Sequence, residues 1–233
     1  MNLDEFCFFV LCCYENKKAL PYYNSPDFTP IFEEPKPGSH KIKKFVFTNQ
    51  NEEAFGSGDL EGKIHVANFM FTSCTNICPV MTTNMTKIEN EFQNDEDVHL
   101  VSFTVTPWID NPNLLKRYKK EFTLNSSNWN FLTGDKRKIY KLARESYFAE
   151  EEIGFTKDSS DFLHTEHFLL IDKKMHIRGI YNGTLQLEMR QIIDDIKKGK
   201  LILDCISKFD IGQSLVIQSG NIIGIEAAQG TDK

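Results

Sequence analysis

The chain lacks an apolar run long enough to cross a bilayer. Its most apolar stretch, FCFFVLCC at 6–13, covers 8 residues, far short of the roughly 20 that a spanning helix needs. It also lacks positive net charge. The 27 Lys and Arg against 33 Asp and Glu leave a formal charge of -6, which argues against a nucleic-acid binder, since such proteins present a basic face. Gly and Pro are not in excess, at 13 and 8 of 233 residues, so a low-complexity chain is set aside. Nor is there an even cysteine framework. The 6 cysteines fall in three groups, Cys7, Cys12 and Cys13, then Cys74 and Cys78, then Cys205. No second CxxC or CxxxC pair exists, which argues against a closed four-cysteine zinc site.

What is present has the composition of a globular protein, 40% hydrophobic and 26% charged, and the length suits one domain with a full core. Residues 1–34 read as a leader or anchor followed by a linker. The run at 6–13 resembles the apolar part of an export signal, and Val-Leu-Cys before Cys13 resembles a lipoprotein cleavage box, although Asp4 and Glu5 stand where basic residues are expected. An export or lipid-anchor segment and an unstructured leader both remain open. Pro30, Pro35 and Pro37 disfavour a helix before residue 41.

Alternation of strands and helices then begins. KFVFTN (44–49) predicts a short strand, and IHVANFMF (64–71) a buried one. Residues 79–92 predict a helix with Val80, Met81, Met85, Ile88 and Phe92 on its apolar stripe. VHLVSFTV (98–105) is a second buried strand, and 111–122 a helix capped by Asn111 with Pro112 in its first turn. A strand at 128–134, a helix at 135–148, a hairpin of 167–172 and 176–181, and a helix at 185–198 complete the pattern. This predicts an α/β sandwich with parallel, right-handed crossovers. The tail, 201–233, is left unassigned between an extra strand and disorder.

Cys74 and Cys78 in FTSCTNICPVMT follow a buried strand and open a helix, where thioredoxin-like folds carry redox chemistry. Four residues apart, they share a helix face or close a tight loop entering the helix. A helix start favours a thiolate, and Pro79 suits a first turn because no N–H is required there. Ser73, Thr75 and Asn76 make the surroundings polar, which speaks against two inert buried thiols. Two thiolates form a soft donor set that suits Cu(I), Zn(II) or iron–sulfur, too few for a structural zinc site or a cluster. An imidazole is the natural third donor. His40 lies in the linker, His65 within a strand, and His99 and His176 on expected exposed edges. His164 and His167 in FLHTEHFLLID both remain open, with the loop position favouring His164.

The combination of FTSCTNICP, HTEHFLLID, TVTPWIDNPNLLKRYKKEF, WNFLTG and IRGIYNGT resembles the Sco/SenC family over roughly residues 35–200. The resemblance implies a thioredoxin-like three-layer α/β/α sandwich with a central mixed sheet. It implies a copper chaperone for the binuclear copper centre of cytochrome c oxidase, with copper held by Cys74, Cys78 and His164. The implied partner is the copper-receiving oxidase subunit, and the implied location is the cell envelope, facing the periplasm, with membrane or lipid anchoring through the N-terminus. Two departures are visible: the tail after about residue 200 has no counterpart in the family pattern, and one acidic position is changed. The family often carries an acid in an S-x-D-P-x-x-D block, whereas here Thr106 precedes Pro107 and only Asp110 is retained.

Two functions use the same thiols. A metallochaperone needs His164 as a donor. A thiol–disulfide oxidoreductase, with Cys74 and Cys78 as its redox pair, keeps the target's cysteines reduced and has no evident need of that histidine. A peroxidase-like enzyme would need a single reactive cysteine in a more basic pocket, which these residues do not show.

Overall fold

The computed structural model describes residues 20–122, 127–149, 165–207, 214–218 and 221–226, with side chains described through residue 200. Leu20–Ile193 forms one compact unit, built on a nine-stranded mixed sheet. Its strands are β1 (Tyr22–Tyr23), β2 (Pro30–Ile31), β3 (Val46–Asn49), β4 (Ala54–Gly56), β5 (Ile64–Met70), β6 (Val98–Thr104), β7 (Trp129–Thr133), β8 (His167–Ile171) and β9 (Ile177–Asn182). They lie in the order β2-β1-β9-β8-β5-β6-β7-β3-β4. β5, β6 and β7 run parallel, and the other pairings are antiparallel. Parallel neighbours require crossovers. These are α1 (Ile77–Phe92) between β5 and β6, and α2 (Pro112–Glu121) between β6 and β7. After β7 comes α3 (Lys136–Glu145), and α4 (Gln186–Ser207) follows β9.

All seven residues of β5 are buried, as expected of a central strand covered on both faces. On one face Met81, Met85 and Ile88 of α1 and Leu115 and Tyr118 of α2 are buried; the Tyr118 ring lies 6.0 Å from Phe131, and its hydroxyl is 2.8 Å from that of Thr82. A polar chain runs beneath them: Trp129 Nε1–H donates to Ser102 Oγ at 2.9 Å, and that hydroxyl donates to Asn68 Oδ1 at 2.6 Å. On the other face Ile139, Tyr140, Leu142 and Ala143 of α3 join Phe69, Phe103 and Leu132 in one core. Helices on both faces make the α/β sandwich that the alternation predicts, in the three layers that the family resemblance implies. Burying each such large apolar side chain contributes about 1.5–3 kcal/mol.

Caps follow local chemistry. Asn111 Oδ1 accepts from Leu114 N–H at 3.0 Å with Pro112 in the first turn of α2, and Asp135 Oδ1 accepts from Lys138 N–H at 3.0 Å. Three expectations are corrected. His99, expected on an exposed edge, is half-buried in β6, which lies between β5 and β7. Val80 is 46% exposed, so the buried stripe of α1 is Met81, Met85, Ile88 and Phe92. His176 is 3% exposed rather than on an open edge, because residues before β3 cover it: its Nδ1 lies 2.8 Å from the carbonyl of His40.

His65 is fully buried beside the Tyr147 hydroxyl, 3.1 Å from its Nε2. Burial, with a smaller contribution from His99, pushes its pKa down to about 3. Between about pH 6.5 and 3 the unfolded chain therefore takes up a proton that the folded chain refuses, and stability falls as pH falls through that window. The loss of melting temperature from pH 7 to pH 4.5 is expected to be larger for the wild type than for His65→Gln. Parallel losses would remove His65 as the cause.

The second unit contains residues from Asp194 onward. There β10 (Ser214–Gln218) pairs antiparallel with β11 (Asn221–Glu226), with an irregularity between Val216 and Ile217.

Candidate functional site

β5 delivers the chain to Phe71, and α1 begins at Ile77, so Cys74 sits in the connecting loop and Cys78 in the first helical turn. Of the two geometries that the spacing allows, the tight loop entering the helix is the one formed. Asn76 occupies the N-cap position without a side-chain capping bond. The Cys74 sulfur takes that role instead, accepting the Cys78 N–H at 3.4 Å. Cys74 N–H in turn bonds the Phe71 carbonyl at 3.3 Å. The first turn of α1 carries no acidic residue, so no fixed negative side chain there opposes a thiolate at the positive end of the helix. Pro79 falls in this same turn, where a missing N–H is no loss.

The two thiols are electrostatically unequal. Burial alone would raise the Cys74 thiol, but the N–H groups of Cys78 and Asn76, with the Cys78 thiol and the Ile77 N–H, outweigh it and hold the pKa below its ordinary value. Cys78 is 3% exposed. Its burial, reinforced by Cys74 and Asp110 and only partly opposed by a backbone bond at Phe71, pushes its pKa up to about 12. At pH 7 iodoacetamide is therefore expected to alkylate Cys74 and spare Cys78 in the folded protein, as read by peptide mass mapping. Equal labelling would contradict this asymmetry.

A buried carboxyl supports the loop from below. Asp110 has no solvent exposure. It accepts from the Thr72 hydroxyl at 2.5 Å, the Thr72 N–H at 3.2 Å, the Thr104 hydroxyl at 2.5 Å and the Thr106 hydroxyl at 2.8 Å. Thr72 was not legible as a site residue, since only tertiary pairing brings residues 72 and 110 together.

His167 is half-buried at the head of β8, paired with Asn182, its ring 5.7 Å from that of Phe28 in an edge-on contact; it is a strand residue. β8 runs antiparallel to β5, with Ala67 opposite Leu169, so the chain enters β8 at the end of the sheet from which the cysteine loop leaves. His164 lies outside the described residues. Among the described residues no three His, Cys, Asp or Glu side chains form a group able to hold a metal ion. His40, His65, His99 and His176 stand elsewhere: His40 Nε2 lies 2.7 Å from the Ser146 carbonyl and His99 Nε2 3.3 Å from that of Glu96. Cys74 and Cys78 supply two adjacent soft donors at a helix N-terminus, a donor set suited to a soft cation.

A thiol pair opening the helix behind the central strand of a mixed sheet defines a thioredoxin-like protein. The SCO1/SenC family model matches residues 33–200, and the chain belongs to that family. The SCO1 protein homolog of Bacillus subtilis (strain 168) is 30% identical over 168 residues, which are 71% of this chain and 86% of that one. A SCO1/SenC family lipoprotein from Bacillus anthracis str. Ames superposes with a TM-score of 0.60 at 36% identity, covering 68% of this chain and 94% of that one. BsSco, described as a Sco family cytochrome c oxidase assembly protein with a disulfide switch, gives 0.57 at 30% identity over 68% and 92%. Bradyrhizobium japonicum ScoI with copper bound gives 0.54 at 25% identity over 69% and 99%. The LpxI C-terminal domain model also matches, over residues 182–233.

Proposed function

We propose that this protein is a copper metallochaperone for assembly of the binuclear copper centre of cytochrome c oxidase, with Cys74, Cys78 and His164 as its copper ligands. The observation that carries this reading is the Cys74 sulfur capping α1, 3.4 Å from the Cys78 amide nitrogen, which keeps a thiolate-favouring donor beside a second thiol. Copper-bound ScoI and the oxidase-assembly protein BsSco, similar in fold and sequence, support it. β8, whose first residue His167 follows His164 by three positions in sequence, enters the sheet at the cysteine end. Copper is cargo, passed to the copper-receiving oxidase subunit by exchange of ligands. The cell envelope, facing the periplasm, is the proposed setting, with anchoring through the N-terminal residues. The lipoprotein from Bacillus anthracis is consistent with such an anchor. Among the described residues no helix is long and apolar enough to cross a membrane.

The unequal thiols favour a second, compatible activity as a thiol–disulfide oxidoreductase. The Cys74 thiolate attacks one sulfur of a target disulfide, forming a mixed disulfide and releasing one target thiolate. Cys78 then loses its proton and attacks the Cys74 sulfur, which closes the Cys74–Cys78 disulfide and releases the second target thiol. The target is reduced by two electrons and the pair is oxidised by two.

Titration of the reduced protein with Cu(I) in the presence of a competing chelator tests the chaperone reading. About one copper per chain is expected, and prior alkylation of Cys74 should abolish tight binding. Binding that survives alkylation would overturn the reading.

A further inference from the structure

Asp110 ties together two loops that are distant in sequence, the one that leaves β5 carrying Cys74 and the one that leaves β6. Two of its four bonds go to Thr72, through the hydroxyl at 2.5 Å and the N–H at 3.2 Å. The other two, from Thr104 and Thr106, fasten the carboxyl to its own loop. The carboxyl is wholly shielded from solvent, where hydrogen bonds are electrostatically stronger than in water. From Thr72 the chain makes one tight turn, closed by the Cys74 N–H on the Phe71 carbonyl, before the Cys74 sulfur meets α1. The turn is thus closed on the Phe71 carbonyl, just past β5, on one side and held by the Asp110 carboxyl on the other. Thr106, which stands where the family pattern has an acid, supplies a donor to Asp110 at 2.8 Å.

We propose that Asp110, acting through Thr72, is a positioning residue that holds the Cys74 sulfur at the N-terminus of α1 and so stabilises the reduced pair and the copper bound to it. The copper half of this statement rests on the function proposed above; the thiol half does not. Breaking the link to Thr72 frees the turn. The reduced form then loses the helix cap on its sulfur, while the covalent disulfide depends on that cap less.

The test compares wild type, Thr72→Val, Thr72→Ser and Asp110→Asn in two measurements. In the first, the Cys74–Cys78 disulfide and two glutathione thiols equilibrate with the dithiol and oxidised glutathione, and acid trapping reads the ratio. In the second, a chelator competes for Cu(I). Thr72→Val is expected to lower the reduction equilibrium constant about tenfold, a fall in potential of about 30 mV for a two-electron couple. Copper affinity should weaken about tenfold, in the range of one lost bond to a carboxylate. Thr72→Ser keeps the hydroxyl and should stay within about twofold of wild type in both. Asp110→Asn should shift both at least as far as Thr72→Val; should it fail to fold, the Thr72 pair still decides. Variants that melt earlier but keep both constants would make Asp110 merely structural and overturn the proposal. So would a Thr72→Ser shift as large as that of Thr72→Val. A wild type that forms the disulfide but binds no copper would refute the copper reading and leave the glutathione equilibrium to judge Asp110. A wild type that does neither would overturn both.

Discussion

His164→Ala is expected to weaken Cu(I) binding by about a hundredfold while leaving the Cys74–Cys78 disulfide free to form. The magnitude follows from ligand counting. Four-ligand structural zinc sites gain about 10–16 kcal/mol on binding, or about 2.5–4 kcal/mol per ligand, and about 1.4 kcal/mol is a factor of ten. A two-thiolate site can still hold Cu(I), so the loss falls at the lower end of that range. Chelator competition on the reduced variant reads the affinity, and thiol trapping after mild oxidation reads the disulfide. Unchanged affinity would remove His164 as a ligand and leave the oxidoreductase as the better reading. Loss of disulfide formation as well would mean that the substitution had disturbed the fold around the cysteines.

Cys78→Ser is expected to act on both activities together. Serine offers a hard, protonated oxygen in place of a soft sulfur, and copper affinity should fall by about a thousandfold, the upper end of the same per-ligand range. The disulfide can no longer form, so a mixed disulfide on Cys74 has no internal resolving thiol and should accumulate. Because position 78 is 3% exposed, the buried hydroxyl also costs about 1–3 kcal/mol of stability where it finds no partner. A gel shift with a glutathione- or target-linked Cys74 reports the trapped species. Its absence in Cys78→Ser, with its presence in Cys74→Ser, would reverse the roles of the two thiols.

Much of the fold was legible because it is written in local pattern. The near-continuous apolar run of β5 reads as a buried strand, and the strand is buried along its whole length. Asn111 with Pro112 starts α2 where those residue types predict. The thiol pair was legible in the same way, since its position between a buried strand and a helix fixes the chemistry open to it. What failed to show depends on contacts between residues far apart in sequence. The two-residue strands β1 and β2 exist because Tyr22 and Tyr23 are held at the sheet edge, where Arg178 bonds the carbonyls of Leu20 and Pro21 and stacks 3.8 Å from the Tyr22 ring centre. Nothing in a proline-rich linker announces that arrangement. α4 runs to Ser207 through Gly199, although a glycine near a helix end usually reads as its stop. α3 ends at Glu145, short of the expected 148, and Phe148 takes a left-handed φ of 50°.

The site divides along the same line. Asp110 was visible as a retained acid and Thr106 as a departure from the family pattern, but neither spacing nor residue type revealed that both meet at one carboxyl beneath the cysteine loop. The loop geometry makes the two thiols unequal. A CxxxC whose first cysteine caps the helix and whose second is buried inside it yields one thiol ready to react and one held in reserve. That difference serves either ligand exchange or disulfide exchange, which is why the two readings share their residues.

The ligand set is the central claim, and X-ray absorption at the copper edge on the reduced, Cu(I)-loaded protein tests it most directly. The account predicts two sulfur neighbours and one nitrogen neighbour, with the nitrogen contribution lost in His164→Ala and a sulfur lost in Cys78→Ser. A wild-type spectrum with sulfur neighbours alone, or one that His164→Ala leaves unchanged, would contradict it.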